Sequence, residues 1–265
     1  MPVPVTDVND VTGNLWLDHS PALVDAYRQG EGGVRFELVT RALLARSSSC
    51  AWRVLDVGGG FGQQAVRLAR AGHEVTVLDP DPAALELAEQ RTAREAPEVR
   101  ARVSFVQGSG ADAVRLVGDG FDLACCHSVL MYLPAPQPTV RALVDAVAPG
   151  GLVSVLSVNP EALAMRSGLQ QRWRDAVATL GTGVNHDSSA LPIHAHSRQA
   201  VAAALEEAGA RVLEWYGVGV FTDHLTEPVL VEDPELVYLA EWLAGCTDPY
   251  RQVARCYHLL AERTG

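Results

Sequence analysis

Glycines alternate along a short stretch of the chain that begins with a carboxylate. The stretch reads Asp56-Val57-Gly58-Gly59-Gly60-Phe61-Gly62. Glycine lets a backbone turn tightly and approach a ligand closely, and the helix expected next offers free N–H groups at its start. The stretch is therefore a candidate cofactor-binding loop, with Gly58, Gly59, Gly60 and Gly62 as its binding residues.

Asp56 separates two cofactors that such a loop could bind. Gly60-x-Gly62-x-x-Ala65 fits the dinucleotide fingerprint, and Asp79 follows at the spacing that this fingerprint requires. A carboxylate just before the glycines would repel a pyrophosphate. It would attract the ammonium group in the methionine part of S-adenosylmethionine (SAM). The whole string therefore favours SAM, and a nicotinamide cofactor stays the alternative.

Two further acidic positions could bind the nucleoside part of such a cofactor. Asp79 ends the second predicted strand, where its carboxylate could accept hydrogen bonds from both ribose hydroxyls, with Pro80 beside it. Asp112 follows the third strand and could accept a hydrogen bond from the adenine amine, with Ala111 next to it. The alternative for Asp112 is a solvated loop aspartate.

Apolar spacing and turn residues predict the elements that must position these side chains. Short β-prone runs predict strands at 53–57, 74–79, 103–106, 121–126 and 152–157. Helical spacing and capping residues predict helices at 36–44, 63–71, 82–95 and 137–147, and a turn at 148–151. Strands that alternate with helices form βαβ units, so we expect an α/β fold with a largely parallel sheet.

The alternation stops at Asn159-Pro160. We expect a helical cap insertion at about 160–196, with a helix over 161–180. The later elements are predicted as a helix from Ser197, its N-cap, to 208, a strand at 211–221 and a helix at 233–245. Residues 250–263 fit either a helix or a short helix followed by an edge strand, and we favour the second reading.

The polar, glycine-punctuated residues 1–34 indicate an N-terminal arm or lid before one domain at 35–265. The chain lacks a signal-peptide pattern, and its apolar runs are shorter than the roughly 20 residues of a membrane helix. We therefore expect a cytoplasmic protein without membrane contact. An odd number of cysteines without Cys-x-x-Cys predicts buried free thiols: Cys50, Cys125, Cys126, Cys246 and Cys256.

The net charge bears on the partners of the protein. The chain carries 21 basic and 32 acidic residues, a formal net charge of -11. Nucleic-acid binders usually need a basic face to neutralise phosphates, so the acidic total disfavours nucleic acid as a partner. Because it also disfavours an anionic membrane surface, we expect a small-molecule partner. The sequence leaves monomer and dimer equally open.

The order of these motifs resembles that of class I SAM-dependent methyltransferases. It runs from the loop at 55–63 through Asp79 and Phe121-Asp122-Leu123 to Pro149-Gly150-Gly151. This resemblance implies a Rossmann-like, seven-stranded, mostly parallel sheet flanked by helices, with SAM as the cofactor and S-adenosylhomocysteine as its product.

More closely, residues 30–260 are similar to the bacterial tRNA carboxymethoxyuridine methyltransferases, which esterify a wobble uridine. The similarity rests on the loop and on these segments: Gly33-Val34-Arg35, His127-Ser128-Val129-Leu130, Leu205-Glu206-Glu207-Ala208-Gly209 and Val220-Phe221-Thr222-Asp223-His224-Leu225.

This resemblance implies roles for two more residues. Arg35 matches an arginine that contacts the cofactor and could clamp its carboxylate. His127 matches a histidine beside the cofactor at the end of the fourth strand. The chain departs from the group at 181–189, which lacks the expected lysines, and at Gly219, which replaces an arginine. With the acidic total, these departures disfavour tRNA as the acceptor.

Methyl transfer is an in-line displacement that depends on holding the acceptor and the methyl group in line. A phenol, hydroxyl or amine acceptor also benefits from a general base. Candidate bases are His127, Asp223 and His224, with His194 and His196 as further candidates. His194-x-His196 could instead be a metal pair, but no third ligand follows in register, so we expect no metal.

Aromatic residues could line an acceptor pocket or pack the cap against the core: Trp173, Trp215, Tyr216 and Phe221. The sequence thus favours a SAM-dependent methyltransferase that acts on a small-molecule acceptor at oxygen. The alternatives are esterification of the tRNA wobble uridine, an NAD(P)-dependent reductase and a SAM-binding protein without catalysis.

Overall fold

A single seven-stranded sheet carries the helices on its two faces. The computed structural model describes residues 33–47, 50–186, 193–225 and 233–265. Its strands are β1 (Arg53–Val57), β2 (Glu74–Asp79), β3 (Val103–Gln107), β4 (Phe121–His127), β5 (Val147–Val158), β6 (Ala210–Val218) and β7 (Cys256–Arg263). The predicted seven-stranded α/β sheet is confirmed.

The helices follow the strands in the predicted alternation. In the described ranges they are α1 (Val34–Leu44), α2 (Gln63–Arg70), α3 (Pro82–Thr92), α4 (Pro97–Arg100), α5 (Ala113–Val117), α6 (Gln137–Ala146), α7 (Leu163–Leu169), α8 (Trp173–Thr182), α9 (Arg198–Glu207) and α10 (Pro234–Cys246). Short 3-10 turns lie at Gly110–Asp112, Leu130–Tyr132, Pro160–Ala162 and Tyr250–Val253. The proposed arm falls almost entirely on residues 1–32, outside the described residues.

The strand order is β3-β2-β1-β4-β5-β7-β6. Neighbouring strands from β3 to β5 pair in parallel, whereas β7 runs antiparallel to both β5 and β6. The chain order reverses between β1 and β4. In sheets of this kind a ligand binds beyond the carboxyl ends of the strands at that reversal, which places the glycine loop after β1 at the expected site.

The prediction of an edge strand at the C-terminus is wrong. The segment does begin with a short 3-10 turn, but β7 then lies between β5 and β6. Its residues Cys256 to Ala261 are all buried, because a strand inside the sheet is covered on both faces. The edge position on this side belongs to β6.

The predicted turn at 148–151 is a bulge within β5. Phe121 pairs with Val147 and Leu123 with Leu152, so the intervening residues have no partners on β4. Gly150 has a φ of 78°, which few other residues adopt. The strand therefore continues through the position where the sequence predicted its start.

The single long helix predicted over 161–180 is two helices. A bond from Arg172 N–H to Ser167 C=O at 2.8 Å closes α7, and Gln171 adopts a left-handed φ of 59°. This is the hydrogen-bonding pattern of a Schellman termination. The chain restarts as α8 and folds back against α7, so the cap is a helical hairpin over its described part. Residues 187–192 of the predicted cap lie outside the described residues.

All five cysteines are free, but two are not buried. Cys125 and Cys126 lie within β4 and Cys256 begins β7, where all three are buried. Cys50 precedes β1 and Cys246 ends α10, and both are exposed because these positions lie at the surface ends of elements. The prediction of buried thiols is wrong for these two.

Glu241 is a fully buried carboxylate on α10 that holds the segment after β6. It accepts hydrogen bonds from the backbone N–H groups of Val220 (2.8 Å), Phe221 (3.0 Å) and Thr222 (2.8 Å). The Thr222 hydroxyl donates a fourth at 2.6 Å. Because buried N–H groups need acceptors, this side chain fixes the conformation of residues 220–222.

Replacing Glu241 by Ala should lower the free energy of unfolding by about 2–4 kcal/mol, because three partly buried backbone donors lose their acceptor. Chemical denaturation of the purified protein measures this loss. The control is Leu239→Ala on an exposed face of the same helix, which should cost below about 1 kcal/mol. Equal effects of the two changes would contradict the role given to Glu241.

Candidate functional site

The glycine loop forms a tight turn between β1 and α2. Gly58, Gly60 and Gly62 have φ values of 65°, 52° and 72°, in the left-handed region that favours glycine. A Cβ on Gly58 would lie 2.3 Å from Cγ2 of Val129. The backbone can therefore pass this close to the segment after β4 only because residue 58 has no side chain.

The loop borders an open cavity at the carboxyl ends of β1, β2 and β4, with about 810 Å³ of empty space when the part open to solvent is included. We call it the cofactor cavity. The cavity brings together most of the cofactor residues predicted from sequence: Arg35, Asp56, Gly58, Gly59, Gly60, Asp79, Pro80 and His127. Gly62 shapes the turn as the N-cap of α2.

Asp56 points a buried, unpartnered oxygen into this region. The residue is 2% exposed, and Oδ2 accepts no hydrogen bond. A Cβ on Gly59 would lie 2.8 Å from that oxygen, so a residue with a side chain at this position would collide with the carboxylate. Burial, with a smaller contribution from the charge of Asp79, raises the pKa of Asp56 to about 7. A cationic ligand would satisfy both the lone pair and the charge, so the site fits an ammonium group.

Asp79 is held by backbone donors on both carboxylate oxygens. Gly60 N–H donates to Oδ2 and Asp81 N–H to Oδ1, each at 2.9 Å. Burial raises the pKa of Asp79 to about 6, against the lowering effect of these bonds. The fixed carboxylate has lone pairs left for two hydroxyls, which fits the ribose diol predicted from sequence.

Arg35 reaches the cofactor cavity from α1. Its Nη1 donates to Oγ of Ser128 at 3.2 Å, and its guanidinium lies 4.7 Å from the centre of the Phe36 ring. Ser128 has a φ of 60°, a conformation rare for serine. The segment after β4 is thus bent so that its hydroxyl meets Arg35. A guanidinium held here can bind a carboxylate in a bidentate pair.

His127 is tied into a buried chain of hydrogen bonds. Its Nε2 lies 2.8 Å from Oγ of Ser154, and that oxygen lies 2.8 Å from Nε2 of His258. Burial, together with the charges of His258 and Arg35, holds the pKa of His127 well below its usual value. Burial also lowers the pKa of His258 to about 4. Both rings are therefore neutral near pH 7.

The two residues that are predicted to contact adenine lie outside the cofactor cavity. Ala111 and Asp112 are exposed, and Oδ1 of Asp112 accepts a hydrogen bond from Arg115 Nε at 3.3 Å. Neither of the two lines the cavity. Their contact with adenine stays a prediction.

The remaining candidate bases lie away from the cofactor cavity. Asp223 and His224 line a second, small cavity that is open to solvent, which we call the arginine cavity because Arg166 and Arg255 also line it. Their catalytic role stays a prediction.

The rings of His194 and His196 stack with centres 6.3 Å apart. Nε2 of His196 lies 2.9 Å from Leu133 O, so its ring is bound to the backbone after β4. Within the described ranges, groups of three or more His, Cys, Asp or Glu side chains arranged to hold a metal are absent.

Sequence reasoning missed side chains that complete the cofactor cavity. Gln63 and Gln64 are buried in the first turn of α2 and line it, and so do Phe36 and Tyr132. Gln64 donates to Oγ1 of Thr40 at 3.0 Å, which ties α2 to α1. Two polar residues directly after a glycine loop were the available signal, because buried amides at a helix start usually have ligand or backbone partners.

A sheet whose order reverses beside a glycine loop, with a buried acid suited to a cation, is the arrangement that the resemblance to class I SAM-dependent methyltransferases predicts. The residues fit the cofactor. Asp56 would bind its ammonium, Arg35 its carboxylate and Asp79 its ribose hydroxyls. The helices in the described residues are all too short or too polar to cross a bilayer.

Known methyltransferases resemble this chain in sequence and fold. Residues 55–153 match the family model of a methyltransferase domain. The tRNA 5-carboxymethoxyuridine methyltransferase of Escherichia coli (strain K12) is 28% identical over 222 residues, which cover 83% of this chain and 84% of that protein. The ubiquinone biosynthesis O-methyltransferase of Xanthomonas axonopodis pv. citri (strain 306) is 32% identical over 134 residues, 50% of this chain and 53% of that protein.

The fold has solved counterparts. A SAM-dependent methyltransferase from Thermotoga maritima superposes with a TM-score of 0.59 at 14% identity, over 94% of this chain and 100% of that one. Such a likeness shows the shared fold. The match to a methyltransferase domain and the methyltransferase relatives support a SAM-dependent methyltransferase enzyme with SAM as its cofactor.

Replacing Asp56 by Asn should weaken SAM binding about 10- to 100-fold, because a charge-assisted hydrogen bond is lost in a buried site. Isothermal titration calorimetry measures the dissociation constant. The control is Asp122→Asn, an exposed carboxylate near the start of β4 that accepts from Arg53 N–H. Unchanged affinity in the Asp56 variant would reject this site.

SAM affinity should also depend on pH through Asp56. Its pKa of about 7 means that the carboxyl group is largely protonated at pH 6, and an ammonium ligand must displace that proton. Affinity should therefore fall up to about tenfold per pH unit below 7, and above pH 7 it should level off until the ammonium group of the ligand itself begins to lose its proton, at about pH 8. The Asp56→Asn variant should lose this dependence. A flat profile for the unmodified protein would contradict the raised pKa.

The same substitution should stabilise the protein without cofactor. The folded pKa of Asp56 lies above its ordinary 3.8, so the folded state binds more protons than the unfolded chain between these values. The free energy of unfolding therefore falls as pH rises through this window. At pH 8, Asp56→Asn should raise it by about 1–2 kcal/mol, as measured by urea denaturation. A loss of stability at pH 8 would be the opposite result.

Proposed function

We propose that this methyltransferase transfers the methyl group to an oxygen atom of a small-molecule acceptor. The observation that carries the proposal is the state of His127. Its ring lines the cofactor cavity, but Nε2 is bound to Ser154 and its pKa is well below the usual value. Such a ring is a weak base. It suits an oxygen that is already ionised near pH 7, such as that of a carboxylate or an acidic phenol, better than an amine that is protonated at pH 7.

The charge of the chain supports a small acceptor. The chain contains no lysine, and its 21 arginines face 32 acidic residues. Several surface arginines are in ion pairs, among them Arg41 with Glu235 and Arg70 with Glu95. These pairs reduce the positive potential that a phosphate backbone would need.

The relatives support oxygen as the acceptor atom. The protein from Xanthomonas is by name an O-methyltransferase of ubiquinone biosynthesis, and its match covers half of this chain. The relative from Escherichia coli is by name a tRNA methyltransferase, and it matches more of the chain. Methylation of a modified tRNA uridine is therefore the second candidate.

The protein contributes to catalysis by binding SAM and the acceptor and by orienting them for methyl transfer. When bound, SAM supplies a methyl group on a positively charged sulfur atom. Asp56, Asp79 and Arg35 fix the cofactor at three points, so that an acceptor can approach in line. Tyr132 and Leu156 line the cavity and exclude water. Because His127 is neutral, it adds no positive charge beside the sulfur.

The rate should follow the ionisation of the acceptor rather than that of an enzyme base. With SAM saturating, phenols of different pKa serve as acceptors, and kcat/KM is measured from pH 6 to 9 by transfer of a labelled methyl group. The inflection should move with the pKa of each phenol, and His127→Asn should keep the profile while lowering the rate. A fixed inflection for all phenols, or transfer to matched amines only, would reject the proposal.

The tRNA alternative is tested by binding. Total tRNA lacking the methyl ester should show no saturable binding at 50 mM salt and accept no label. Saturable binding that weakens steeply at 200 mM salt, with transfer of label to tRNA, would replace the small-molecule proposal by the second candidate.

A further inference from the structure

The arginine cavity contains buried polar atoms without partners. In the described part of the chain, Nε of Arg166, Nη1 of Arg255 and Nδ1 of His224 are buried and make no hydrogen bond. All three residues line this cavity. Buried donors are normally satisfied, so two guanidinium nitrogens without partners in the lining of one cavity indicate the place of an anionic ligand atom.

The cavity is held in shape from three sides. Arg255 N–H donates to Gly219 C=O at 3.1 Å, and Arg255 C=O accepts from Asn159 N–H at 2.9 Å. A Cβ on Gly219 would lie 3.3 Å from Cβ of Arg255, so the glycine leaves room for this arginine. The carboxylate of Glu241 fixes residues 220–222.

The cap closes the third side. Arg166 projects from α7, and the Gln170 side chain just after this helix donates to His224 C=O at 2.7 Å. This bond joins the cap to the loop after β6. The two arginines therefore reach the cavity from separate, anchored segments, which is the arrangement of a built site rather than of a surface charge cluster.

The charge around the cavity matches a single negative charge. Arg166 and Arg255 each carry a positive charge, and Asp223 lies with Oδ2 at 3.8 Å from Nε of Arg255, beyond hydrogen-bonding distance. The two arginines and Asp223 together therefore carry one net positive charge. A carboxylate would neutralise it, whereas a phosphate dianion would leave the site negative.

The arginine cavity lies at the same sheet edge as the cofactor cavity. Cys256 begins β7 beside Arg255 and pairs with the ends of β5 and β6. Burial raises the pKa of Cys256, and the charges of both Arg255 and Arg35 oppose this shift. Both guanidinium groups thus lie within electrostatic reach of one thiol. The two cavities nevertheless share no lining residue.

We propose that the acceptor is an organic acid whose carboxylate binds between Arg166 and Arg255, while a different oxygen of the same molecule receives the methyl group. The separate linings of the two cavities make the carboxylate an anchor and not the reacting group. The role of this acid as the methyl acceptor rests on the proposed function. The anion site itself can be tested by binding alone.

The test uses the full chain saturated with S-adenosylhomocysteine. Acetate, benzoate and 4-hydroxybenzoate are compared with acetamide, benzamide and 4-hydroxybenzamide at equal ionic strength. Calorimetry and thermal unfolding should show binding of at least one acid, with its amide at least about tenfold weaker. Failure of all three acids to bind, or equal binding of acids and amides, would overturn the proposal.

Variants assign the binding to the two arginines. Arg166→Gln and Arg255→Gln should each weaken the acid at least about tenfold and leave SAM affinity within about twofold. Arg255→Lys keeps the positive charge but not the planar guanidinium group, so its affinity for the acid should lie between those of the unmodified protein and Arg255→Gln. The control is Arg174→Gln, which removes an exposed arginine of α8 outside the cavity. An equal loss in this control would overturn the assignment.

Product analysis separates this inference from the proposed function. Acid binding that depends on both arginines, without methyl transfer to any oxygen acceptor, would keep the anion site and reject the proposed function. Transfer to uncharged phenols at the same rate as to hydroxy acids, unaffected by the arginine variants, would keep the proposed function and reject the anion site. A product that alkali hydrolyses as a methyl ester would show that the carboxylate is itself methylated and would overturn its role as anchor.

Discussion

The cofactor site depends on one electrostatic constraint, a carboxylate buried at the carboxyl end of the central strand β1. Asp56 is closed off from water, and one of its oxygens accepts no hydrogen bond. Asp79 adds a second negative charge close by. Burying such a group opposes folding, and a cationic ligand offsets that cost. The buried Asp56 carboxylate therefore destabilises the folded protein when no ligand is bound, as expected of a residue whose role is to bind a ligand.

The backbone around this carboxylate is shaped by contacts that leave little freedom. The left-handed glycines let the loop turn beneath Val129, and the unusual φ of Ser128 bends the segment after β4 towards Arg35. These two segments belong to neighbouring strands at the point where the strand order reverses. The strained φ of Ser128 is consistent with a functional site, because surrounding packing must hold such a conformation in place.

The proposed acceptor side of the site comes from the second half of the sheet. Because β7 runs antiparallel between β5 and β6, its first residues return to the edge where the parallel strands end. Arg255 thereby meets Gly219 and the cap. Glu241 and Asn159 fix the two segments beside it through backbone hydrogen bonds. One inserted strand thus brings Arg255 to the sheet edge at which the cofactor cavity also lies.

The sequence by itself determined the strands of the parallel half, the glycine loop and the acids Asp56 and Asp79, because period, turn chemistry and strand-end position are local properties. Only the tertiary structure decided the place of β7 and the convergence of Arg166 with Arg255. It also decided the hydrogen-bonded chain from His127 through Ser154 to His258, whose last two members are 104 residues apart. Local patterns do not encode which distant strands pair, since pairing is selected by the burial of whole faces.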